Sequence, residues 1–151
     1  MNGLSLLTDG EFFAVDITRV KKVTRSLAYT PVPAAPDEVA GIANLRGGIV
    51  TLISLAELLG HGKSEKAVHA VIFKPLANDN SQMGLLVDSP GELISINDAE
   101  ILPPGFSAEN IDMTFISGIA EVEGKLFRII DIDLVKEKLI KRSKERNDYN
   151  D

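Results

Sequence analysis

The sequence predicts an all-β protein built from two similar β units and ending in a helix. Three observations carry that expectation. The apolar stretches are short, rich in Ile and Val, and separated by Gly, Pro, Asp and Asn, which is the rhythm of strands and turns. A segment of the first half recurs in the second half at an offset of 77 residues. Helix-start chemistry stands out at two places, Ser54 and Asp131, each directly after an apolar strand pattern. With 151 residues the chain suits one domain and can bury roughly two thirds of its unfolded surface.

In chain order the expected strands are Leu4–Leu7, Phe12–Val15, Val20–Arg25, Ala40–Leu45, Ile49–Ile53, Ala67–Phe73, Met83–Val87, Leu93–Ile96, Phe115–Ala120 and Leu126–Ile130. Ten such strands point to barrels or sandwiches. Pro31, Pro33 and Pro36 keep Thr30–Asp37 out of a sheet centre, because each lacks a ladder donor, so this segment reads as a connector crossing an edge. Asn78-Asp79-Asn80-Ser81 is a polar turn and Ile101–Asn110 a longer irregular loop, and either has room for binding residues.

The repeat aligns Val39–Leu55 with Ile116–Ile132. Gly41 and Gly118, Ile42 and Ile119, Ala43 and Ala120, Gly47 and Gly124, and Ile53 and Ile130 are identical pairs. Both copies read as strand, glycine turn, strand and helix start, so one hairpin design serves each half. Ser54 with Glu57 makes a capping box, and Asp131 does the same work in the second copy while its charge favours the positive helix end. The first helix is short and ends at Gly60. The second continues through Leu139 and Ile140, and its apolar side, Val135, Leu139 and Ile140, is suited to packing on the β units.

Composition removes several function classes. The net charge of −6 opposes non-specific binding to nucleic acid or anionic membranes, and the chain has no Trp and few aromatic residues for base stacking. No apolar run reaches the roughly 18 residues of a membrane span, Met1–Gly10 lacks a basic signal region, and without Cys nothing points to an oxidising compartment. A cytoplasmic protein is the expectation. Residues 136–151 carry six basic and four acidic side chains, a net +2 that leaves −8 on the rest. This basic tail reads as a helix fraying into solvent, with a docking arm as the other reading.

Catalytic chemistry finds little support. His61 and His69 lack metal-ligand spacing, and Gly47-Gly48 lacks the Lys-Ser/Thr of a phosphate loop. Asp16, Asp88, Asp98, Asp112 and Asp131 are available carboxylates without a pairing signature. What remains is a surface for partners: grooves where β units meet, sheet edges and hairpin tips. Arg46, beside two glycines, offers a planar donor array for carbonyls or a carboxylate. Pairing with an acidic residue of its own hairpin and binding a partner are both open to it.

The stretch Pro33-Ala-Ala-Pro36-Asp37-Glu-Val-Ala-Gly41-Ile-Ala-Asn44-Leu45-Arg46-Gly47-Gly-Ile-Val50 resembles the signature of the CheW-like family, adaptors that couple chemoreceptors to the histidine kinase CheA. Phe13-Ala-Val15-Asp16-Ile17, Met83-Gly84-Leu-Leu-Val87-Asp88, Ile116-Ser-Gly118-Ile and Ile129-Ile130-Asp131-Ile132-Asp133 extend the likeness over about residues 4–140. The resemblance implies two intertwined, five-stranded SH3-like β-barrels within a domain at 4–140, followed by a basic tail at 141–151. It implies a non-enzymatic scaffold with no catalytic residues, cofactor or metal. Its implied partners are the regulatory domain of a CheA-type kinase and the cytoplasmic tip of methyl-accepting chemoreceptors, the latter in a groove between subdomains. Nucleic acid and direct membrane insertion are not implied, and association with receptor arrays would run through protein contacts. Asn44, Leu45, Arg46 and Gly47 match the family motif and are the candidate protein-binding residues. Ser54 and Ala56 depart from the family, standing where it usually carries Asp and Arg. That departure keeps open a divergent module in another chemosensory-type pathway, beside the remoter alternative of a small enzyme with an unrecognised carboxylate site.

Overall fold

A computed structural model describes residues 1–46, 48–75, 81–105 and 114–149, with side chains through residue 142. Its strands are β1 (Asn2–Thr8), β2 (Glu11–Asp16), β3 (Val20–Arg25), β4 (Val39–Leu45), β5 (Gly48–Ser54), β6 (His69–Phe73), β7 (Gln82–Val87), β8 (Ser89–Ser95), β9 (Ile116–Val122) and β10 (Lys125–Ile130). Helix α1 (Leu55–Leu58) follows β5, and helix α2 (Ile132–Tyr149) follows β10. Each expected strand overlaps one of these ten. The short first helix ends as expected, with Gly60 at φ +83° accepting the left-handed turn that stops it.

The strands form two five-stranded sheets, ordered β8-β1-β2-β10-β9 and β3-β6-β7-β5-β4. The two orders correspond place by place, including one parallel pair in each, β10 with β2 and β5 with β7. The repeated hairpins β4–β5 and β9–β10 therefore occupy equivalent ends of their sheets. The leading hairpins are exchanged, however. β1–β2 joins β8 to β10, and β6–β7 joins β3 to β5, so neither half of the chain forms a sheet from its own strands alone.

The closed barrels implied by the resemblance are not formed. The edge strands β8 and β9 do not pair, nor do β3 and β4, so both sheets stay open. The connector between each edge pair makes a single bridge instead: Thr30 with Ile42 on β4, and Leu102 with Ile119 on β9. In both places the next residue is proline, Pro31 or Pro103. Along an antiparallel strand successive N–H groups point to opposite sides, so the proline removes the donor needed to pair on the far side and complete the ring. The connector over residues 30–37 thus crosses a sheet edge, as its prolines predict.

The bridges explain two repeat glycines. A Cβ at Gly41 would lie 2.4 Å from the Thr30 carbonyl oxygen, and one at Gly118 would lie 2.4 Å from Ile101 Cγ2. Both glycines let a connector approach its strand closely. Asp9-Gly10 and Glu123-Gly124 have positive φ at both residues and form tight two-residue turns whose twist suits a hairpin.

Burial is layered. Ala43, Val50, Leu52, Ala70, Ile72 and Leu86 form the core of the second sheet. Ala14, Ile96, Ala120, Phe127 and Ile129 form that of the first. Alternate residues of the same strands, among them Phe13, Val15, Ile53, Val71, Phe73, Leu85 and Ile130, join Leu55, Leu58, Ile132 and Val135 in a larger core shared by both sheets and both helices. This seam fixes the relative orientation of the units, because displacement would expose apolar area worth about 25 cal/mol per Å².

Candidate protein-docking surface

The caps come first, because they aim the helices. Ser54 Oγ accepts the Glu57 amide at 3.2 Å. Asp131 Oδ1 accepts the amides of Asp133 at 2.9 Å and Leu134 at 3.3 Å. Both cap oxygens act as the repeat predicts, but the reciprocal half of the expected capping box is replaced: the Ser54 amide donates to the Glu38 carbonyl at 2.8 Å instead of to the Glu57 carboxylate. Ala56, where the family usually has Arg, is only 1% exposed, so this position packs inward.

Helix α2 lies beside the second sheet, and a groove of about 380 Å³ runs between them. Val39, Thr51, Ile53, Phe73 and Met83 line one side; Ile132, Lys136, Leu139 and Ile140 line the other. The Arg19 guanidinium forks onto the Asp133 carboxylate at 3.2 and 3.3 Å and stands at one end. Lys74 also borders the opening, which gives an apolar floor a basic margin.

The candidate residues sit at the tip of β4–β5. Asn44 pairs with Ile49 and Leu45 with Gly48; Asn44 is exposed and Leu45 half-buried. Arg46 is exposed, at φ +47°, and among the described residues no hydrogen bond or ion pair holds its side chain. Gly47 lies outside the described residues.

The groove and the hairpin tip share a face. Along β5, Val50 and Leu52 point into the sheet's own core, while Ile49, Thr51 and Ile53 point the other way. Ile53 and Thr51 line the groove, and Ile49, 65% exposed, continues the strip toward Asn44 and Arg46. Ile42, opposite Thr51, widens it. An isolated exposed isoleucine means little, but a strip leading from a groove to an arginine with no partner among the described residues has the form of a docking surface.

The carboxylates considered for chemistry are employed structurally. Asp16 caps the short 3-10 turn Ile17–Arg19, Asp88 accepts the Ser64 hydroxyl at 2.9 Å and the Asp9 amide at 3.0 Å, and Asp98 pairs with the amino terminus at 3.0 Å. Asp131 is the α2 cap. His61 Nδ1 meets Asp9 at 2.9 Å and His69 Nδ1 meets the Asp88 carbonyl at 3.1 Å. Asp112, residues 78–80 and residues 106–110 lie outside the described residues. Among the described residues no cluster of three or more His, Cys, Asp or Glu is placed to hold a metal ion, and no helix is long and apolar enough to cross a membrane.

Sequence reasoning missed the groove itself. Val39, Thr51 and Ile53, Met83, and Leu139 come from four separate elements of the chain, and the only signal among them was the apolar side of the last helix. The fold and this surface define a scaffold that binds other proteins.

Comparison with known proteins agrees. The CheW-like domain model matches residues 2–139. The chemotaxis protein CheW of Rhizobium meliloti is 31% identical over 124 residues, covering 82% of this chain and 79% of the relative. That of Thermotoga maritima is 26% identical over 144 residues, covering 90% and 87%. The crystal structure of the scaffolding protein TtCheW from Thermoanaerobacter tengcongensis superposes with a TM-score of 0.76 at 32% identity, covering 87% of this chain and 84% of that one. The chain belongs to the CheW-like domain family. It is a non-enzymatic scaffold that couples receptors to CheA-type kinases.

Proposed function

We propose that the groove beside α2 receives the helical cytoplasmic tip of a methyl-accepting chemoreceptor, and that a separate surface holds the regulatory domain of the kinase. The observation that carries this reading is the continuous strip from the groove floor at Ile53 and Thr51 to Ile49 and Arg46. A helix seated there buries its apolar face on the floor, sets acidic side chains against the basic margin and brings a carboxylate or carbonyl to Arg46. The first sheet offers the second surface. Leu126 of β10 and Leu102, bridged to β9, are 49% and 64% exposed and belong to the sheet that does not line the groove.

Binding both partners on one rigid body converts the second association into a near-intramolecular event and raises effective concentration without new chemistry. The chain then resides at membrane receptor arrays through protein contacts. Titration calorimetry of the full chain with the isolated kinase regulatory domain, with a receptor-tip helical hairpin, and with each in the presence of the other tests the reading. Independent saturable binding of both is expected. Mutual exclusion, or no binding by a folded sample, overturns it.

A further inference from the structure

Helix α2 forms one wall of the groove, and its two halves are held in different ways. The first is fixed by burial: Ile132 and Val135 lie in the shared core, Asp131 caps the end and Arg19 forks onto Asp133. Among the described residues of the second, Leu139 packs against that core and the Lys138 ammonium lies 5.5 Å from the centre of the buried Phe115 ring, while Ile140 is half exposed. A long-range ion pair ties it to the second sheet's edge as well: Arg142 Nη1 donates to Glu38 Oε1.

Glu38 is a fixed post. It is 4% exposed, it precedes the groove residue Val39, and its carbonyl accepts the amide of Ser54 at 2.8 Å. Among the described residues its other carboxylate oxygen has no partner. Arg142 is the solvent-accessible half, with its side chain 44% exposed. The nine steps from Asp133 to Arg142 rise about 13 Å along the helix, so the two ion pairs hold it at points more than two turns apart, on either side of the groove residues Lys136, Leu139 and Ile140. A buried carboxylate stripped of its cation is strongly unfavourable, which returns Arg142 to its place whenever the helix is within reach.

We infer that Arg142 and Glu38 form a latch that holds the distal half of α2 as a wall of the groove, and that opening it lowers the affinity of the groove for a helical ligand. The inference rests on the groove's proposed role, and it adds the means by which that site is regulated. Among the described residues burial of the helix reaches to about Leu139, and the guanidinium is accessible from solvent, so an external anion competing for Arg142 loosens the wall. One basic side chain of the last helix thus serves an internal acid.

Hydrogen exchange of the full-length wild type, Arg142→Ala, Arg142→Lys and Glu38→Gln tests this, with receptor-tip hairpin titrated into each. Exchange at residues 136–142 rises about tenfold in Arg142→Ala and Glu38→Gln, less in Arg142→Lys, while β1, β2 and β7 keep their protection. The hairpin's Kd rises severalfold in the same order. Unchanged exchange at 136–142 in both Arg142→Ala and Glu38→Gln overturns the latch. Faster exchange with unchanged affinity overturns its link to docking. Failure of the wild type to bind the hairpin counts against the groove's role, while the exchange data still decide whether the latch exists.

Discussion

Arg46 and Glu123 hold the same place in two related hairpins, 77 residues apart, and share a left-handed backbone at φ +47° and +52°, yet carry opposite charges. The turn sets the backbone and leaves the side chain unspecified. An L-residue in this conformation costs about 1 kcal/mol relative to glycine. Arg46 bears that cost while touching no described acidic partner.

Replacing Arg46 with glycine therefore separates structure from binding. Arg46→Gly leaves stability unchanged or raises it by up to about 1 kcal/mol, and weakens binding of the receptor-tip hairpin. Urea unfolding and titration on the same preparation check both halves. A stability loss above about 1 kcal/mol would assign Arg46 to holding the hairpin together.

The paired glycines give a graded prediction. Gly41→Ala brings a Cβ against backbone, 2.4 Å from the Thr30 oxygen, and destabilises by about 1–3 kcal/mol. Gly118→Ala meets mainly the Ile101 side chain, with the Leu102 oxygen at 3.1 Å, and costs less because a side chain moves more readily than a connector. Thermal unfolding of the two variants orders them. The reverse order would show that the connector after β3 yields more easily than its contacts indicate.

Cap removal tests the unequal helices. Asp131→Ala costs about 1–2 kcal/mol, since one carboxylate oxygen serves two amides at the start of an 18-residue helix that packs on the core. Ser54→Ala costs about 0.5–1 kcal/mol, because one hydroxyl serves one amide of a single turn. Equal losses by chemical denaturation would contradict this difference.

Ile49→Glu probes the strip. With Ile49 65% exposed, stability changes by no more than about 0.5 kcal/mol, whereas the Kd for the receptor-tip hairpin rises at least about tenfold. Leu126→Glu, on the equivalent hairpin of the first sheet, leaves that Kd unchanged and weakens the kinase regulatory domain instead. Identical effects of the two variants on both partners would merge the two surfaces into one.

Much of this was legible in the chain because the signals are local. Strand periodicity placed ten strands, the 77-residue offset identified the duplicated hairpin, and Ser54 and Asp131 marked both helix starts. The motif Asn44-Leu45-Arg46 identified the family, since hairpin and motif occupy a few consecutive residues. Arg46's possible pairing partner was not legible, because that depends on which acidic side chains the fold brings near.

Sequence by itself determined the class of protein: local propensity, turn chemistry and a duplicated pattern require two β units, and an acidic chain without a cofactor motif directs function to protein surfaces. Only the tertiary structure decided which hairpin joins which sheet, because exchanged and unexchanged pairings bury the same alternating faces. It also decided that the sheets stay open, where Pro31 and Pro103 withhold a donor beside a single bridge. The groove and the meeting of Glu38 with Arg142, 104 residues apart, likewise arise only when helix and sheet pack, since no local pattern encodes contact across such a distance.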